Sequence, residues 1–339
     1  MIKIYTDTSY LTQEFRKIMF PVLLDIHFTK STLALENFQI IEKIEKANVV
    51  IVPVAINYFF KNKKKTELNR FIDKALALNK KVWVYAAGDF GITFRKDVTV
   101  FRLGGFKSKL SGNEEILPSF VSDAYSTILT NKWKPLPKSI KPEIGFVGHA
   151  NNSKIKLVKE FVLHFKFALN RKINTSLGDY QSFYPSSLKR FEILEKLKKS
   201  DAISTNFIFR KLYRAGVKTE EDKQKTSLEF FTNIENNLYT VCIRGAGNFS
   251  VRLYETLMMG RIPVVIASDA KLPLENYINW EKHLVITNSE NILKDLVDFH
   301  EKTSNEVLIE IQKNNRELML GLFQRVNYFV ALYQFKNEF

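Results

Sequence analysis

Cysteine occurs once in this 339-residue chain, at Cys242. A single thiol excludes an internal disulfide, so the fold must hold by packing, and a reducing compartment such as the cytoplasm is compatible. Cys242 lies in the apolar run Tyr239–Ile243 and reads as a small buried hydrophobe rather than a nucleophile. There is no Asp-x-Asp pair, and the five histidines (His27, His149, His164, His283, His300) are scattered, so no metal and no other cofactor is expected. The sequence also lacks an apolar run near the roughly 18 residues of a membrane span. Met1–Tyr5 begins like a strand, not like a signal peptide. A soluble or peripheral protein follows, with no internal repeat or low-complexity tract.

Hydrophobic residues make up 45% of the chain and charged residues 26%, which suits a globular protein. At this length two domains are the natural expectation. Lys plus Arg outnumber Asp plus Glu by 51 to 36, a net charge of +15. Such a field attracts anionic partners: nucleoside diphosphates, the anionic inner face of a plasma membrane, or nucleic acid. Solvated lysines such as the run from Lys61 to Lys65 explain the same number without any partner, and composition does not choose.

The first half alternates strand-like runs (Met1–Thr6, Val49–Ala55, Lys81–Ala87, Val98–Leu103) with an amphipathic helix over Thr66–Asn79. This β-α-β order predicts parallel pairing. Trp133–Pro142 carries three prolines and no periodicity, which marks a joint. The strand Glu143–Gly148 then leads through the capping residues Asn151, Asn152 and Ser153 into a helix over Lys154–Leu169. Phe191–Thr219 has a helical, basic pattern. Beyond it come a helix over Ser227–Asn236, a strand over Leu238–Ile243, a helix over Val251–Met259, and strands over Ile262–Ala267 and His283–Ile286. The expected organisation is α/β: a Rossmann-like domain over 1–138, a second over 139–315, and a C-terminal helix in 316–339 packing back on the first. Ligands of such sheets bind at the carboxyl ends of parallel strands, here in the cleft between the domains.

The chemistry concentrates in residues 242–266, which read strand, glycine loop, helix, glycine stop, strand. Gly245 and Gly247 permit close backbone approach, and Ser250 can cap the helix. The helix start offers unpaired N–H groups to a phosphate. Arg244 and Arg252 add positive charge, and Glu255, three residues on, shares a face with Arg252. An exposed Arg252–Glu255 salt bridge accounts for that pair equally well.

This stretch resembles the signature of exostosin-family glycosyltransferases, in which a Ser-x-Arg-x-x-Glu helix precedes a Pro-Val-Val strand. Here these are Ser250, Arg252 and Glu255, then Pro263-Val264-Val265, followed by Ser268-Asp269, Leu272-Pro273-Leu274 and Tyr277–Trp280. Upstream, Lys46–Val54 and Gly88-Asp89-Phe90-Gly91 are similar to two further family elements, although Gly88 replaces a histidine. The transmembrane anchor, stem and disulfides of the animal enzymes are missing, as in a shorter, bacterial-type relative. The resemblance implies a GT-B fold and inverting transfer from a nucleoside diphosphate sugar, with UDP the expected nucleotide. The acceptor would be a glycan or lipid-linked carrier of a bacterial surface polysaccharide.

On matching positions, Glu255 would bind ribose or sugar hydroxyls, and Ser250 and Arg252 the diphosphate. Arg244, Gly245, Gly247 and Asn248 would line the donor loop. Arg210, Lys211 and Arg214 either stabilise the leaving diphosphate or form a solvated basic face. Inversion needs a base, and Asp89, at the carboxyl end of the strand Val82–Ala87, is the first choice. A turn aspartate explains it as well. Asp25, His27 and His149 stand behind it. Another transferase using a phosphopentose donor, or a non-catalytic module binding nucleic acid or glycan, are the competing readings. The second lacks any nucleic-acid-binding motif.

Overall fold

Strands of three to seven residues build two parallel sheets in the computed structural model, which describes residues 1–173, 178–266 and 269–336. The first sheet comprises β1 (Ile2–Tyr5), β2 (Phe38–Ile40), β3 (Val49–Ile51), β4 (Lys81–Tyr85), β5 (Thr99–Arg102) and β6 (Glu114–Ile116). Their spatial order is β2-β1-β3-β4-β5-β6. The second holds β7 (Glu143–His149), β8 (Ser204–Arg210), β9 (Tyr239–Ile243), β10 (Ile262–Ile266) and β11 (Val285–Thr287), ordered β11-β10-β9-β7-β8. All the pairings are parallel. The architecture is two Rossmann-like sheets facing across a cleft, the GT-B arrangement.

Parallel strands covered on both faces need apolar residues at every position, and the alternation sends them to opposite sides. Val49, Ile51, Trp83 and Phe101 enter one core, whereas Val50, Val82, Val84 and Val100 enter another. The first of these cores crosses between the halves, for it also holds Leu253, Tyr254, Leu257 and Met258 of the helix Val251–Met258. The chain returns at its end: Phe329 of the helix Arg325–Phe335 packs against Phe20, Trp83 and Phe101 at 5.3–5.8 Å between ring centroids. A phenylalanine fully buried in this way contributes about 1.5–3 kcal/mol.

Three elements depart from the expectations. Phe191–Thr219 is not one basic helix: a helix over Ser186–Lys198 is followed by β8. β8 is an edge strand paired only with β7 and half-buried along its length, so no alternation of apolar and polar residues marked it. The helix expected from Ser227 starts at Glu220, capped by Thr219; its first turns are solvated and carry no apolar period. The proline-rich joint is preceded by a segment already packed on the second half, where Ala124 and Leu129 meet Ile234 and Met259.

Candidate active site at the sheet ends

The Gly88–Gly91 turn closes β4 at the cleft. Gly88 and Gly91 have φ of +94° and +64°, backbone that other residues adopt at a cost. Arg102, almost wholly buried, holds the turn by donating to the carbonyl of Phe90 at 2.6 Å and to the Asp179 carboxylate at 2.7 Å. Asp89 is exposed on this braced turn, and its backbone abuts the other half: a Cβ on Gly247 would lie 2.2 Å from the Asp89 carbonyl oxygen. Two segments far apart in sequence, Gly88–Gly91 and Gly245–Ser250, therefore meet across the cleft. Gly247 serves this contact, while a Cβ on Gly245 would have nothing nearer than Arg190 at 3.8 Å.

Asn248 is another bridge. It is buried and donates to the carbonyls of Gly105 at 3.2 Å and Asp269 at 2.9 Å, so its amide joins the halves and does not face a donor. Asp269 in turn accepts from the N–H and hydroxyl of Ser108 at 2.9 and 2.6 Å. Ser250 takes the N-cap position with extended backbone, but its side chain makes no capping hydrogen bond, contrary to the expected cap. The first N–H groups of the helix are thus left without a side-chain partner from Ser250.

Arg252 points inward, not into an exposed salt bridge. Its guanidinium donates to Val147 O at 2.6 Å, near the carboxyl end of β7, and to Val241 O at 3.4 Å, midway along β9, and stacks on Phe146 at 4.1 Å. Gly148 leaves room for it, since a Cβ there would lie 2.7 Å from the guanidinium. Burial lowers the pKa of Arg252, though an arginine stays protonated. The Glu255 carboxylate makes no hydrogen bond or ion pair among the described residues, and burial pushes its pKa up, with nearby Arg252 drawing it back. Arg244 stacks on Tyr184 at 4.5 Å and on Phe106, from the other half, at 5.1 Å. It donates to Gln181 and to the carbonyl of Ala246, each at 3.0 Å.

Cations gather at the ends of β7, β8 and β9. Arg190, which no motif marked, donates to the carbonyls of Ile243 and Arg244, both at 3.1 Å. Lys156, also unmarked, brings its ammonium to the ring nitrogens of His149, 3.0 Å from Nδ1, and burial lowers its pKa. His149 pairs in register with Arg210 across β7 and β8. The Nε atoms of Arg244 and Arg252 are buried with no acceptor among the described residues. A buried donor left unpaired costs about 1–3 kcal/mol, more when charged, so such groups call for an acceptor.

The remaining sites lie elsewhere or are committed. Arg210 donates to Thr226 O at 2.8 Å and pairs with Glu229 at 2.7 Å, which ties it to the neighbouring helix instead of a phosphate. Lys211 is exposed, and the side chain of Arg214 lies outside the described residues. Asp25 is buried and held by Arg325 through two bonds of 2.5 and 2.6 Å, so its oxygens are spoken for. His27 sits edge-on to Phe28 at 4.8 Å. Burial raises the Cys242 thiol to about 12, leaving it protonated and inert. A cavity with about 30 Å³ of space for water lies between Leu103, Ile116, Arg244 and Tyr254.

No family model matches the chain. A probable glucuronosyltransferase of Oryza sativa subsp. japonica is 32% identical over 65 residues, 19% of this chain and 16% of the relative. A second from the same plant is 30% identical over 93 residues, 27% and 21% of the two. The chain thus spans about a fifth of the length of these curated relatives. Among solved structures, WaaG, a glycosyltransferase involved in lipopolysaccharide biosynthesis, is similar at 10% identity and a TM-score of 0.34, over 98% of this chain and 99% of that one. A likeness of that degree carries no functional weight.

Proposed function

We propose that the chain is an inverting glycosyltransferase of the exostosin type, moving a sugar from a nucleoside diphosphate donor to a growing surface glycan or its lipid-linked precursor. The observation that carries this reading is a pair of buried guanidinium Nε donors without an acceptor among the described residues, Arg244 Nε in the loop ahead of the helix Val251–Met258 and Arg252 Nε in its first turn, with the Glu255 carboxylate one turn beyond Arg252. Oriented donors of this kind suit a diphosphate, and a free carboxylate one turn along suits vicinal hydroxyls.

In this mechanism the exposed Asp89 carboxylate takes the acceptor hydroxyl proton as the oxygen attacks the anomeric carbon. The bond from that carbon to the diphosphate oxygen breaks, and the leaving group keeps the electron pair. Arg244, Arg252 and Arg190 stabilise that charge, a task fixed cations perform without reorganising. Residues 1–138 would supply the acceptor side and 139–315 the donor side.

The test is a panel of sugar nucleotides, including UDP-glucuronate after the name of the rice proteins, assayed for nucleotide release with and without EDTA. Release of UDP from one donor, persisting in excess EDTA, is the expected result. Absence of release and of thermal stabilisation by every nucleotide would overturn the reading. Loss of turnover in EDTA with rescue by Mn²⁺ would replace the arginines by a metal.

A further inference from the structure

The helix Lys154–Lys172 is built inside out. Amphipathic helices turn the apolar stripe to the core, yet this one, 19 residues long, buries none of its residues. Ile155, Val158, Val162, Phe165 and Leu169 recur at spacings of three and four and so form one stripe. They are 71, 61, 57, 63 and 49% exposed. The opposite face is the one that touches protein: Phe167 meets Phe90 at 4.7 Å, and His164 meets Phe183 at 5.5 Å. The stripe therefore looks outward along a helix about 28 Å long.

The charges around it identify what covers it. Lys154, Lys159, Lys166 and Lys172 are exposed on this helix, while its only acidic residue, Glu160, is paired with Lys156 at 3.6 Å. A second copy seated on the stripe would set lysines against lysines with no carboxylate between them. A bilayer rich in anionic phospholipid meets both needs, taking the apolar side chains among its acyl chains and the lysines at its headgroups. Among the described residues no helix is long and apolar enough to cross a membrane, so this helix lies on the surface.

We infer that Lys154–Lys172 is a membrane-docking helix for anionic lipid surfaces. Its opposite face meets Phe90, so the docked stripe stands one helix diameter, about 10–12 Å, from the Gly88–Gly91 turn, on the same side of the molecule as Asp89. The docking itself does not depend on the proposed transfer reaction.

The experiment is flotation of the full chain with phosphatidylcholine vesicles and with vesicles rich in phosphatidylglycerol, together with sedimentation equilibrium without lipid. The wild type should float only with the anionic vesicles. Val162→Glu/Phe165→Glu should lose at least about tenfold in partitioning. Lys159→Glu/Lys166→Glu should lose at least about 25-fold, since each lysine near an anionic surface contributes about fivefold. All these side chains are exposed, so unchanged melting temperatures are expected; Lys294→Glu/Lys313→Glu, the same charge change elsewhere, should float normally. Equal flotation of the stripe variant and the wild type would overturn the inference. So would failure of the wild type to float, or a wild-type dimer that the stripe variant breaks, which would assign the stripe to a second copy.

Discussion

Arg252 and Glu255 stand one helical turn apart without pairing. Arg252 gives its hydrogen bonds to the carbonyls of Val147 and Val241, and the Glu255 carboxylate keeps no partner among the described residues. A carboxylate buried without a hydrogen-bond partner costs free energy in its charged form.

That cost has a definite sign. Burial raises the folded-state pKa of Glu255 above its ordinary 4.5, so the fold favours the protonated acid. The stability tied to that proton is fully present below 4.5 and is lost as pH rises through the raised value. Glu255→Gln should therefore melt higher than wild type at neutral pH, with the gap closing in acid. Its affinity for the nucleotide, by calorimetry, should fall about 10- to 100-fold. A variant neither more stable nor weaker in binding would remove Glu255 from the site.

Asp89→Asn keeps the size of the side chain and cannot take a proton. The expected change is a loss of about 10²- to 10⁴-fold in kcat with donor affinity nearly intact, read from steady-state rates beside equilibrium binding. Normal turnover would leave Asp89 as a turn residue.

Gly245 and Gly247 look interchangeable in sequence and are not. Gly247→Ala puts a methyl group 2.2 Å from the Asp89 carbonyl oxygen, whereas the nearest atom at Gly245 is 3.8 Å away. Thermal melting should show Gly247→Ala destabilised by about 1–3 kcal/mol with reduced turnover, and Gly245→Ala close to wild type. Equal behaviour of the two would mean that the halves do not meet there in solution.

Asp25 should prove structural. Asp25→Asn breaks the two-point pairing with Arg325, and a urea titration should register a loss of about 1–3 kcal/mol. Donor affinity and kcat should stay within about twofold, the scale on which interactions vary with context. A hundredfold fall in kcat in the folded variant would restore it as the base.

The two sheets were legible because Val49–Ile51, Lys81–Tyr85 and Tyr239–Ile243 are apolar runs between turn residues, a local signal. Phe38–Ile40 and Glu114–Ile116 are too short to carry a period, and β8 is too solvated. At the site, Arg244, Arg252, Glu255 and Asp89 could be picked out as chemistry on a loop, a helix and a strand end. Their partners could not, because Arg252 chooses Val147, 105 positions away, and Asn248 chooses Gly105, 143 away. Arg190 and Lys156 escaped for the same reason: each sits on a helix with no motif and matters only once β7 and β9 are side by side. The helix expected over Lys154–Leu169 was marked by its capping residues and runs on to Lys172, but no cap says which way a stripe faces.

The chain passes between the two sheets twice, first between Leu117 and Ala124 and again ahead of Arg325, where Asp25 and the Phe329 ring pack fasten it. One strap lets two bodies turn about any axis. Two straps leave a single axis, the line that joins them, as a pair of hinges does for a door. The Asp89–Gly247 contact and the bonds made by Asn248 and Ser108 lie away from those two straps and close the same seam at a third place.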